Sequence, residues 1–237
     1  MSPTLLAAAG LGFVLGLRHA FEPDHLAAVS TLASRQGRLK DGAVLGLAWG
    51  LGHTATIGAV ALVVLVTGVR LPETFSLAAE LFVALLLMLL GFPVVARYAR
   101  GRWHMHAHRH DGRDAPHFHL HRHDAGAAHA HAHPAWDARR SLGLGVAHGL
   151  AGSAAIIVLL AAAAPTAAAR LAYVAAFGAG TVLGMLAVSL SIGLLARMTS
   201  RAGARWASAL HVATAAASVA AGLVVALRAA AGITGAR

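Results

Sequence analysis

The sequence contains no cysteine, which removes disulfides and thiolate metal sites. It is also poor in charge. Only 12% of its 237 residues are Asp, Glu, Lys or Arg, where a soluble domain carries about 25%. No basic stretch precedes the first apolar run, and that run continues into a polar motif. A cleaved signal peptide is therefore not expected, and the first span should be retained. There is no G-x-x-x-x-G-K phosphate loop, so the chain carries no P-loop nucleotide site of its own. There is no H-E-x-x-H motif to support a metallohydrolase and no nucleic-acid-binding motif, so nucleic acid is not an expected partner despite a formal charge of +10.

What fills the chain is oil. Hydrophobic residues make up 58% of it, and the mean hydropathy is +0.68. They gather into runs long enough to cross a bilayer core of about 30 Å as helices. Six spans are expected, at 4–34, 43–68, 75–98, 140–164, 170–196 and 207–231. The fold class is an all-α integral membrane protein in contact with the lipid bilayer. Small residues at spacings such as Gly12/Gly16 and Gly46/Gly50 suit close helix packing in lipid. Arginine and lysine sort by loop: 14 lie in segments 35–42, 97–140 and 197–206, against four on the other side. Positive-inside bias puts those segments in the cytoplasm and both termini outside. Localisation to a bacterial cytoplasmic (inner) membrane is expected.

The chain reads as duplicated. "LGLRHAFEPDHLAAV" at 15–29 matches "LGVAHGLAGSAAIIV" at 144–158, aligning His19 with His148. "WGLGHTATIGAVAL" at 49–62 matches "FGAGTVLGMLAVSL" at 177–190, aligning His53 with Thr181. The offsets, 129 and 128, are nearly equal. Each half then holds three spans, and an odd number forces the halves into opposite orientations. That is an inverted repeat, common in transporters whose site lies between the halves. The expected organisation is a first three-helix repeat at 1–99, a His-rich cytoplasmic loop at 100–138 and a second repeat at 139–237.

Ionisable groups inside a span are costly unless they pair or line a path. Residues 18–25, "RHAFEPDH", place Arg18, His19, Glu22, Asp24 and His25 in one. Pro23 has no amide hydrogen and its ring clashes with the carbonyl of His19, so the first helix should break near Pro23. The break would turn Asp24 toward the flank that carries His19, Glu22 and His25. Two imidazoles and a carboxylate without sulfur suit a borderline divalent transition metal. His53, in "WGLGHTATIG", is the natural further ligand, and His148 can close the cavity from the other half. Glu80 suits a structural ion pair, with Arg18 as partner, as well as a pathway role. His211, near a span end, suits an interfacial role.

These motifs carry a family resemblance. "RHAFEPDHLAAVSTL" resembles the H-x-x-x-x-D-H signature of the nickel/cobalt transporter family (NiCoT, or NicO superfamily). "LGHTATI" resembles that family's L-G-H-[ST] segment, and "HGLAGSAAI" resembles the shorter six-span branch called UreH-like. The resemblance implies Ni2+ or Co2+ as transported substrate and no prosthetic group. It implies His19, Asp24, His25 and His53 as metal ligands, and metallochaperones or urease/hydrogenase maturation proteins as partners. The motif departs from the family pattern at Glu22-Pro23, where a pair such as Asp-Ala is expected, and whether Glu22 is an added ligand stays open. The rival readings are a carrier for a small anion or organic metabolite, for which Arg18 speaks, and an intramembrane metalloenzyme with Glu22 as base.

Segment 104–133 holds 11 of the 16 histidines: His104, His106, His108, His110, His117, His119, His121, His123, His129, His131 and His133. Such a tract suits loose metal binding. The alternation of histidine with other residues would fit a strand, but Gly112, Pro116 and Gly126 interrupt it. A mobile cytoplasmic loop without regular structure is expected.

Overall fold

A computed structural model of the chain describes residues 2–34, 39–69, 72–100, 104–108, 117–121, 134–150 and 163–235. These residues form helices α1 (Pro3–His19), α2 (Pro23–Ala33), α3 (Leu39–Thr67), α4 (Glu73–Ala99), α5 (Pro134–His148), α6 (Ala167–Ala202) and α7 (Ala204–Gly235). α3, α4, α6 and α7 are each long and apolar enough to cross a membrane. α1 and α2 together make a fifth candidate, bent by 59°. α5 covers the start of the span expected at 140–164, and the remainder of that span falls largely outside the described residues.

The bend follows from the sequence. Pro23 opens α2 as its first residue, where a missing N–H breaks no helical bond. Glu22 before it is extended, with ψ 145°, as a residue preceding proline prefers. Two turn hydrogen bonds, Phe21 N–H to Arg18 O and Glu22 N–H to His19 O, both at 3.0 Å, carry the chain round. α5 ends the same way without proline. Gly149 N–H reaches Gly145 O at 2.9 Å and Leu150 N–H reaches Ala147 O at 3.4 Å.

Contacts in the bundle recur in pairs. A Cβ on Gly16 of α1 would collide with the Phe177 carbonyl on α6, and a Cβ on Gly145 of α5 would collide with the Trp49 carbonyl on α3. Gly16 and Gly145 are 129 apart in sequence, and Trp49 and Phe177 are 128 apart. The same exchange relates Gly180 against Phe13 and Leu17 to Gly52 against Leu142 and Val146. The outer pair repeats it: Gly91 on α4 abuts Ala215 and Ser218 on α7, while Gly222 on α7 abuts Ala84 and Leu87 on α4. α3 and α6, equivalent under this exchange, run antiparallel. Gly42 lies beside Ser189, Gly46 beside Met185 and Gly50 beside Val182, and Thr54 Oγ1 donates to Gly178 O at 3.4 Å. Only glycine allows backbones this close, and dispersion over such contacts holds helices together where the hydrophobic effect does not.

The core between α2, α3, α4 and α6 is filled by Val29, Trp49, Val83, Leu87 and Met185. Large apolar side chains such as Leu62, Val66, Leu89, Phe92 and Leu227 point outward, which suits lipid rather than water.

One expectation needs correction. The histidine-rich segment is not wholly irregular: His104–His108 and His117–His121 pair as antiparallel strands β1 and β2. Their register sets His104 opposite His121, His106 opposite His119 and His108 opposite His117. The period-2 alternation does make strands, because Gly112 and Pro116 fall between them, where a hairpin needs a connection. His110, His123, His129, His131 and His133 lie outside the described residues.

Candidate metal centre

Four elements converge on one buried point. α1 ends on His19, α2 begins with Asp24 and His25, the middle of α3 supplies His53, and α5 ends on His148. All four histidines are at most 3% exposed. The break at residues 20–22 is what allows this. It lets α1 stop with His19 facing inward and lets α2 restart with Asp24 and His25 on the same point. His19 and His148, aligned in the duplication, also sit alike. Each ring rests on an aromatic at 5.4 Å between centroids, His19 on Phe177 and His148 on Trp49.

Three imidazole nitrogens point at one another. His53 Nε2 lies 3.0 Å from His19 Nε2 and 3.3 Å from His25 Nε2. The far nitrogens of both partners are occupied. Glu22 Oε2 is 3.0 Å from His19 Nδ1, and Asp24 Oδ1 is 3.1 Å from His25 Nδ1. An ionised carboxylate only accepts, so each of those Nδ1 atoms carries the ring's proton. With one proton per ring, held on Nδ1, His19 and His25 turn bare Nε2 lone pairs toward His53. A proton on His53 Nε2 can satisfy one of them well, whereas a cation satisfies all three. Nitrogens about 2.1 Å from a common ion stand about 3.0–3.4 Å apart when adjacent, the separations found here. Carboxylates behind ligating histidines are the usual way of fixing ring tautomer and orientation. Glu22 therefore supports His19 from behind and does not project into the cluster.

Asp24 faces two ways. Its Oδ2 lies 3.1 Å from His148 Nε2, so one carboxylate joins His25 of the first half to His148 of the second. His19, His25 and His53 form one triad that could hold an ion, and Asp24, His25 and His148 form another. His53 Nδ1, His148 Nδ1 and Trp49 Nε1 are buried without a hydrogen-bond partner among the described residues. Such atoms are rare and call for an explanation. Arg18 is exposed and Glu80 half-buried, neither belongs to the triads that could hold an ion, and no ion pair joins these two among the described residues. His211 is buried on α7, where its Nδ1 lies 2.9 Å from Ser34 Oγ.

The family model described as a high-affinity nickel-transport protein, NicO, matches residues 5–235. The chain belongs to the NicO family. It is 32% identical over 202 residues to the urease accessory protein UreH of Bacillus sp. (strain TB-90), a match covering 83% of this chain and 81% of that protein. No solved structure matches it. This NicO chain is thus an integral membrane protein of a transporter family, not an enzyme. Sequence reasoning about it missed Trp49 beside His148 and the helix end at His148. The signal for the second was present, since His148 aligns with His19, where the first helix breaks; the missing proline hid it.

Proposed function

We propose that this protein carries Ni2+, and Co2+ with it, across the bacterial cytoplasmic membrane through a site of His19, His25 and His53, with Asp24 as ligand or as support for His25. The observation that carries this is the meeting of three Nε2 atoms, two of them backed by carboxylates, inside an apolar bundle. Neutral imidazoles with no thiolate favour borderline divalent metals. The architecture we propose is six spans in two inverted three-helix repeats. The reciprocal contacts at offsets near 129 between antiparallel helices support it. Both termini lie outside and segment 104–133 in the cytoplasm, by the arginine distribution. There the histidine ribbon buffers metal for delivery to nickel-handling partners such as urease maturation proteins. The test is 63Ni and 57Co flux in proteoliposomes, with the metal placed on either side. Saturable flux of both ions that His25→Ala abolishes supports the reading. Flux indifferent to His19→Ala, His25→Ala and His53→Ala overturns the site, and metal-independent uptake of an anion overturns the function.

A further inference from the structure

The geometry points to two overlapping stations for the ion that share His25, with passage between them as the step that engages the second half of the chain. This rests on the transport reading above. The first station is His19, His25 and His53, meeting through their Nε2 atoms and drawn from the first half alone. The second is Asp24, His25 Nδ1 and His148 Nε2, and it does not exist without α5. In both, neighbouring donors stand 3.0–3.3 Å apart.

His25 presents one ring nitrogen to each station. A neutral imidazole has one lone pair and one proton, so it can serve only one station at a time. When the ion is held through Nε2, the proton on Nδ1 points at Asp24. When the ion is held through Nδ1, that proton sits on Nε2 and points at His53. The exchange involves two rings: His25 gives up the proton on Nδ1 and takes one at Nε2, and His148 gives up the Nε2 proton that Asp24 accepts and takes one at Nδ1, so each ring keeps one proton and none is gained or lost overall. The stations are therefore exclusive, and a single ion alternates between them.

The placement of the end residues supports an exchange between two related positions. His19 closes one station and His148 the other. They are equivalent in the duplication, and each lies against an equivalent aromatic, Phe177 or Trp49, at the same 5.4 Å. The Nδ1 of His148 and Nε1 of Trp49, buried and without a hydrogen-bond partner among the described residues, lie beside the second station. His19 and His148 sit on equivalent members, α1 and α5, of two different interlocked pairs, α1–α6 and α5–α3. A rocking of one pair against the other would lengthen one station while shortening the other.

The test uses the full chain with the eleven histidines of 104–133 replaced by asparagine, so that only membrane sites are counted. Ni2+ bound per chain is measured in lipid nanodiscs by equilibrium dialysis of 63Ni. Co2+ binding is followed by its visible absorption, and flux is measured in proteoliposomes. The parent should bind one ion. His53→Ala and His148→Ala should each still bind one ion, with different Co2+ spectra, and each should lose at least tenfold in flux. The double variant should bind none. His148→Gln, which keeps a polar group of similar length, gives the same comparison if the alanine variant fails to fold. Two ions bound by the parent, or parental flux in a folded His148 variant, overturns the proposal while leaving nickel transport intact. A parent that neither binds nor moves Ni2+ overturns the transport reading itself.

Discussion

Asp24→Asn keeps the size of the side chain and removes its charge. Asp24 accepts from two buried rings, His25 Nδ1 and His148 Nε2, at 3.1 Å each. A hydrogen bond to a charged group is worth about 1.5–3 kcal/mol and a neutral one about 0.5–1.5, so each bond weakens by about 1 kcal/mol. The amide has one accepting oxygen and one donating nitrogen. It can suit only one of the two N–H groups, and the other ring must reverse its tautomer. If that ring is His25, its Nε2 acquires the proton and is lost to the ion at the first station. The two bonds together amount to about 2 kcal/mol, or about 30-fold in affinity at about 1.4 kcal/mol per tenfold. This sits within the 10–100-fold range typical of lost support behind a ligand. The assay is 63Ni flux against concentration in proteoliposomes, in a background lacking the loop histidines. We expect the half-saturating Ni2+ concentration to rise about 30-fold, with an unchanged gel-filtration profile. A half-saturation value within about threefold of the parent in a folded protein would show that Asp24 neither orients nor binds, and the tautomer argument would fall with it.

Deleting 104–133 should lower metal retention in cells while leaving saturating flux in proteoliposomes largely intact, because the buried cluster is drawn from α1, α2, α3 and α5; abolished flux in a correctly inserted protein would place the ribbon in the path. Gly145→Leu should lower the melting temperature in detergent by the equivalent of about 3 kcal/mol, the upper end of overpacking costs, since its Cβ would strike the Trp49 carbonyl. Gly143→Leu, with nothing within 4 Å of its Cβ, should be neutral or slightly stabilising; equal effects at the two positions would refute the close α3–α5 contact. Acidifying the metal-containing side should raise the half-saturating Ni2+ concentration without lowering saturating flux, because protons compete with the ion for the same imidazole lone pairs. A fall in saturating flux that added Ni2+ does not rescue would contradict direct ligation.

The bend between α1 and α2 was legible because its causes are local. Proline sets its own φ, biases the residue before it and lacks an N–H, and all three effects are written at Glu22-Pro23. The grouping of His19, Asp24 and His25 was legible for the same reason. The role of Glu22 was not. Its carboxylate could line the site or back a ligand, and only the 3.0 Å contact to His19 Nδ1 puts it behind the ring. The strand pairing of 104–108 with 117–121 was misread because the breakers Gly112 and Pro116 were weighed as interruptions. Both fall in sequence between the two paired segments, not within either. The Arg18–Glu80 pair failed as a guess about partners distant in sequence, since polarity alone does not say which two groups meet.

The scaffold is more symmetric than the site, and that difference bears on mechanism. Backbone contacts obey the exchange closely: Gly16 with Gly145, Gly52 with Gly180 and Gly91 with Gly222. Chemistry does not. The counterpart of His53 is Thr181, fully buried, whose hydroxyl bonds the Gly16 and Phe177 carbonyls at 3.2 and 2.9 Å and so serves the helix contact rather than the cluster. Two equivalent sites on either side of the axis would let an ion occupy both. In the proposed architecture four donor residues, His19, Asp24, His25 and His53, come from the first half and His148 alone from the second, so the ion would keep ligands of the first half while a single imidazole contact with the second is made or broken. Under the proposed reading, a near-symmetric frame would make two conformations of similar energy available, and an asymmetric ligand set would tie the ion to one side. That combination suits a carrier, which must hold its cargo firmly while keeping the cost of switching low.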